Sequence, residues 1–206
     1  MSNILLINTI IFLLLFIYIF SAKLDSGRIN EVLLAQHNKY RKMHGAPDLA
    51  LDSELIKIAT DYSAALAYKT DKFSVKPSGN KNKNRENLGE NIFTCTSVIK
   101  KSCYNVESTS PVDEWYNEIK NYDFSSPKFS INTARFSQVI WKETTKMGCG
   151  ASVKDDDGVT YKVVCNYYPA GNVLGHYGDN APNLTEYDRF ILLNYFSFIL
   201  ILLLLF

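Results

Sequence analysis

Three histidines, four cysteines, the serines and a few acids are the side chains in this sequence that could do chemistry. Neutral imidazoles can ligate a metal or move a proton. Yet His37 and His44 are followed by no further histidine until His176. The four cysteines, Cys95, Cys103, Cys149 and Cys165, are an even count in a chain with apolar segments at both ends. That combination fits an oxidising compartment and paired sulfurs, so a cysteine–histidine nucleophile is not expected. No Gly-x-Ser-x-Gly element presents a serine nucleophile. Asp155-Asp156-Asp157-Gly158 lacks the spaced oxygens and distal Glu of a calcium loop and reads as a turn. The stretch Ser74–Arg85 carries a Lys/Asn run without interleaved aromatics. With Lys+Arg at 22 against Asp+Glu at 21, it reads as a solvated loop, and nucleic acid is not an expected partner.

Several elements must position these groups. Ile4–Phe20 is a nearly unbroken apolar run ending at Ser21-Ala22-Lys23, which reads residues 1–22 as a signal peptide or, if uncleaved, an N-terminal anchor. Ile29–His44 reads as a helix with Ile29, Val32, Leu33 and Tyr40 near one face, stopped by Gly45-Ala46-Pro47. Asp52 is placed to cap a second helix through about Tyr68, with Leu55, Ile58, Ala59, Tyr62 and Leu66 as its buried stripe. Pro111–Lys120 reads as a third helix. Phe136, Val139 and Ile140 give Thr133–Trp141 a helical pattern. Met147–Val153 and Val159–Asn166 predict a hairpin across the Asp-Gly turn. Helices followed by a hairpin make the chain α+β. Phe190–Phe206 is apolar after a polar spacer, with small residues Asp179, Asn180 and Ala181 upstream. That order suits a GPI signal, with a transmembrane tail as the alternative, and residues 184–206 are assigned as spacer and tail. Asn183-Leu184-Thr185 is a glycosylation sequon.

Four runs carry a family resemblance: His37-Asn38-Lys39-Tyr40-Arg41, Gly89-Glu90-Asn91, Arg135-Phe136-Ser137-Gln138-Val139-Ile140-Trp141 and Cys165-Asn166-Tyr167-Tyr168-Pro169-Ala170-Gly171-Asn172. Together they resemble the CAP superfamily (cysteine-rich secretory proteins, antigen 5, plant pathogenesis-related proteins) over residues 28–183. The resemblance implies a three-layer α-β-α sandwich of the CAP/SCP type. It implies disulfides Cys95–Cys103 and Cys149–Cys165. It also implies a cleft with two histidines, able to hold zinc, beside two acids, here Glu90 and Glu118. Arg135 stands where one histidine is expected, and Phe73 falls near the place of the other. His37 is then a structural histidine. On this reading the chain holds no metal and needs no cofactor, is not an enzyme, and uses Arg135 to pair with Glu118, Glu90 or both. The resemblance points to an extracellular, surface-attached module binding sterol, other lipid or protein, held to the membrane by its C-terminal tail. The run Tyr122–Phe129 resembles the aromatic loop linked to sterol binding in fungal members, which makes Tyr122, Phe124 and Phe129 lipid-binding candidates. The same rings also fit simple packing of the loop onto the domain. A divergent hydrolase or protease is the alternative function.

Overall fold

The computed structural model of the chain describes residues 28–68, 78–84, 86–97, 110–155, 159–186 and 188. The apolar runs 4–20 and 190–206, Phe73, Cys103 and the Asp156–Gly158 turn lie outside the described residues. Among the described residues no helix is long and apolar enough to cross a membrane.

The first helix, α1, covers 28–43. Its deepest stripe, continued into the following turn, is Asn30, Leu33, His37, Arg41 and His44, of which only Leu33 belongs to the apolar set read from the sequence. Four of these five are polar, and each finds a partner inside the protein. Asn30 exchanges two hydrogen bonds with the Cys149 backbone, at 2.9 and 3.1 Å, and so fixes α1 to the sheet. A two-residue strand, β1 (Ala50–Leu51), leads to α2 (Ser53–Tyr68). Asp52 caps α2 as its position predicts, accepting from the N–H groups of Glu54 and Leu55 at 2.9 and 3.2 Å.

Strand β2 (Gly89–Ser97) is followed by α3 (Pro111–Tyr116), capped by Ser110 with proline at its start. The third predicted helix does not run on to Lys120. It tightens into a 3-10 segment, Asn117–Asn121, which turns each residue further than an α-helix does. Then come α4 (Ala134–Ile140), the long hairpin β3 (Lys146–Asp155) and β4 (Val159–Tyr168), and a short α5 (Tyr177–Asn180).

The strands form one sheet in the order β1-β3-β4-β2, parallel at β1–β3 and antiparallel elsewhere. Successive residues of a strand face opposite sides. Met147, Cys149, Val163, Cys165 and Tyr167 join the larger core with Leu33 of α1, Trp115 of α3 and Phe136 of α4. Val164 and Ile92 face Ala59 and Leu66 of α2 on the other side. The result is the three-layer α-β-α sandwich. Cys149 and Cys165 lie directly opposite in the register and are joined by a disulfide.

Gly148 and Gly150 let α2 lie against β3. A Cβ at either would run into helix backbone, at Ile56 and Thr60 respectively. Backbone within a packed helix cannot step aside as a flexible side chain can. Gly150→Ala is therefore expected to destabilise the fold by about 1–3 kcal/mol. At Gly178, where a Cβ would meet nothing within 4 Å, the same change should stay within about 0.5 kcal/mol. Urea midpoints of the two variants give the comparison.

Candidate functional site

Helix α4 begins with backbone donors that have no partner within the helix, and its N-cap, Thr133, makes no side-chain cap. Glu118, buried in the 3-10 segment, supplies the missing acceptor from another element. Its Oε2 accepts from the N–H groups of Arg135 and Phe136 at 3.0 and 3.1 Å. Its Oε1 accepts from Arg135 Nε at 2.5 Å. The ion pair expected of Arg135 therefore forms with Glu118. A negative charge at a helix N-terminus also opposes the positive end of the helix dipole.

Glu90 does not join this group. It pairs with Asn166 in the β2–β4 register, on the sheet face that carries Val164 and α2. There its carboxylate accepts from Ser78 N at 2.8 Å, Ser78 Oγ at 2.5 Å and Asn166 Nδ2 at 3.2 Å. Burial, with the Glu90 charge nearby, pushes the Tyr62 hydroxyl up from its ordinary value. Its neighbour Asn91 points to the other face and donates to the Arg135 carbonyl at 3.0 Å. The strand pleat thus separates the two acids that the motifs place in one cleft.

The aromatic loop is also divided. Tyr122 is buried in the core. Phe124 is half-buried, meeting Tyr122 edge-on at 4.8 Å and Phe136 at 6.1 Å, and stacking on His44 at 6.2 Å. These two rings pack the loop onto the domain instead of presenting an apolar surface, since T-shaped ring pairs hold them in place. Of the three candidates Phe129 is the exposed one.

His44 is buried and committed at both nitrogens. Nδ1–H donates to the Pro182 carbonyl at 2.7 Å, which leaves Nε2 to accept from the Tyr116 hydroxyl at 2.9 Å. Burial lowers its pKa from the ordinary value. His37 is likewise engaged at both nitrogens, so it is the structural histidine expected. Nothing in the periodicity of α1 distinguishes His44 from a surface residue. The rings of Tyr116, Phe124 and Phe136 and the Pro182 carbonyl, all remote in sequence, enclose it.

Cys95 is disulfide-bonded, but its predicted partner Cys103 lies outside the described residues. Asn183 of the sequon is exposed. A polar depression of about 130 Å³ opens elsewhere, between Asp52, Glu54, Asn82, Glu86, Lys146 and Tyr168, and includes none of the predicted site residues.

The two partners of the ion pair differ in exposure, with the Arg135 side chain at 52% and that of Glu118 at 10%. An exposed charge gains little from a pair, whereas a buried carboxylate that satisfies backbone donors is costly to lose. Glu118→Ala is expected to lower stability by about 2–3 kcal/mol, because two helix N–H groups lose their acceptor. Arg135→Gln should cost less than about 1 kcal/mol. Equal losses in chemical denaturation would show that the salt bridge, not the backbone capping, is what matters.

Comparison with known proteins gives one answer. Residues 34–167 match the model of the CAP cysteine-rich secretory protein family. The chain is 39% identical over 154 residues to human (Homo sapiens) Golgi-associated plant pathogenesis-related protein 1, covering 74% of this chain and 90% of that one. It is 32% identical over 145 residues to Repressed by EFG1 protein 1 of Candida albicans, covering 70% of this chain but 47% of the longer relative. The solved structure of BmVAL-1 shares the fold at a TM-score of 0.57 and 21% identity, covering 76% of this chain and 82% of that one. With the signature helix, the disulfide hairpin and the three layers in place, the chain belongs to the CAP family of cysteine-rich secretory proteins.

Proposed function

We propose that the protein is an exported, surface-attached CAP domain that acts as a non-catalytic binding module for sterol or another lipid. The observation that carries this reading is the state of Glu118. Its carboxylate is spent on two backbone N–H groups and the Arg135 guanidinium. A carboxylate so engaged has no free oxygen turned to a substrate, and an arginine beside it is no general base at neutral pH.

The donor set at the family's metal position does not suit zinc. Zinc sites take neutral imidazole, thiolate or free carboxylate. Position 135 supplies a permanent cation, Glu90 is held on the other face of the sheet, and both His37 and His44 are engaged in the core. Export is supported by the leader-like run 4–20 and by the Cys149–Cys165 disulfide. Attachment is supported by the apolar run 190–206. A ligand with an apolar surface is supported by Phe129 and Ile131, both exposed at the end of the aromatic loop.

Titration of the purified chain with zinc, alongside capture of a radiolabelled sterol, tests the reading. The expected result is saturable sterol capture that Phe129→Ser weakens, with no stoichiometric zinc binding. Tight zinc binding by the unmodified chain would favour the divergent hydrolase. Sterol capture unaltered by Phe129→Ser would move the lipid site away from this loop.

A further inference from the structure

We infer that the face formed by Phe129, Ile131, Val173 and Leu174 docks on the surface of a lipid bilayer. The inference rests on the transmembrane form of the proposed attachment, in which residues 190–206 stay in the membrane instead of being removed as a GPI signal. Large apolar side chains are seldom left in water as a group, and a contiguous set marks a contact surface. Here Ile131 is 75% exposed, Leu174 76%, Phe129 48% and Val173 42%.

The four residues come from two loops that the structure brings together. Asn172 donates to the Ala134 carbonyl at 2.8 Å and accepts from the Ser137 hydroxyl at 2.6 Å. These bonds pin the loop after β4 to the first turn of α4, which starts three residues after Ile131. Val173 and Leu174 follow Asn172 directly, so both loops emerge at the start of α4.

Two observations select a bilayer as the occupant. The first is charge. The stretches 124–135 and 170–178 contain no Asp or Glu, with exposed Asp123 and Asp179 just outside them; Lys128 and His176 are exposed, and Arg135 is paired with Glu118. Apolar side chains with a lysine and no acid among them suit a surface of phosphate headgroups over acyl chains. The second is the path of the chain. Residues 182–185 are fastened to the end of α1, through Pro182 O to His44 and Thr185 N to the Met43 carbonyl at 2.8 Å. The apolar run begins at Phe190, so the two-residue step from Asp188 spans about 7 Å at most. The domain cannot stand clear of a membrane that holds this run. His44 touches both that exit segment and Phe124, which places the start of the loop 122–131 on the flank from which the chain leaves.

The full chain carrying Leu174→Trp, reconstituted in phosphatidylcholine nanodiscs with an anionic lipid, provides the test. Trp115 and Trp141 are buried and should give a constant background. Replacing the acyl chains with brominated ones is expected to quench the added tryptophan. Lys57→Trp, on the exposed side of α2, should keep its intensity. A Leu174→Trp chain that stays with the nanodisc but whose added fluorescence is unchanged would overturn the docking and leave the membrane attachment standing. A chain that does not stay with the nanodisc would overturn both. Quenching that appears only when sterol is present would replace surface docking with sterol capture.

Discussion

Lowering the pH from 7 to about 5 is expected to remove about 2 kcal/mol of folding stability through His37 alone, and about 3 kcal/mol by pH 4. His37 is fully enclosed, between the Leu33 carbonyl, the Tyr167 hydroxyl and the ring of Trp115. Nδ1–H donates to Leu33 O at 2.7 Å, so the unprotonated Nε2 accepts from Tyr167 at 2.8 Å. A second proton would turn Nε2 into a donor against a hydroxyl that already points its own hydrogen there. Burial is the main cause that lowers His37 from 6.5 to about 4, and the Arg41 charge lowers it further, against the Leu33 hydrogen bond. The unfolded chain therefore binds the proton first. Stability is complete above about pH 6.5, the unfolded value, and is lost as the pH falls towards 4. His44 is shifted in the same direction by burial, and adds to the loss. Urea unfolding at a series of pH values checks this. His37→Gln should flatten the slope between pH 7 and 5 while lowering stability at pH 7. An unchanged slope in that variant would assign the acid sensitivity to other groups.

The proton-sensitive residues also show what a sequence does and does not disclose. The signature helix, the Asp52 cap and the hairpin were legible because each is a local pattern: an apolar period, a capping residue, a strand pair around Asp-Gly. The polar stripe of α1 was not. Asn30, Arg41 and His44 look like surface residues until Cys149, Val139 and Pro182 supply their partners, all remote in sequence, and His37 reads as structural only through the family resemblance. The separation of Glu90 from Glu118 turned on strand parity. Glu90 and Asn91 differ by one position and so face opposite layers, and a motif does not state which layer each will face. That Arg135 pairs with one of the family's acids was legible; that the partner is Glu118 and not Glu90 was not. Phe124 was ambiguous for a different reason. Aromatic residues serve packing and recognition equally well, and only its contacts with Tyr122 and Phe136 decide. The glycines at 148 and 150 did carry a usable signal. Two glycines two residues apart in a strand mark one face approached closely by another backbone.

Replacing Arg41 by Met is expected to have the largest effect of any single substitution considered, a loss of about 3–5 kcal/mol. Arg41 is fully enclosed, and its guanidinium serves carbonyls rather than an acid. Nε donates to Pro47 O at 2.7 Å, NH1 to Val139 O and Trp141 O at 3.1 and 2.8 Å, and NH2 to Thr144 O at 2.8 Å. Val139 and Trp141 lie at the end of α4, where helix carbonyls lack partners within the helix. A positive charge there also meets the negative end of the helix dipole. Two effects oppose each other in the Met variant. Removing a buried charge relieves a desolvation cost, visible in the guanidinium pKa being pushed down to about 10 by burial. Against this, four carbonyls lose the guanidinium at once; those of Val139 and Thr144 are buried, Trp141 O keeps only the Thr144 N–H, and a buried carbonyl left unsatisfied costs about 1–3 kcal/mol. The second effect is larger, because Met fills the volume but offers no donor and the enclosed site leaves water little access. Arg41→Lys separates charge from geometry. An ammonium keeps the charge but has three donors on one atom, and cannot reach carbonyls arranged around a planar fork. It should recover only part of the loss. Full recovery by lysine in chemical denaturation would mean that charge against the helix end, not the fork of hydrogen bonds, holds α1 to the signature helix. A Met variant as stable as the wild type would show that the carbonyls find other partners.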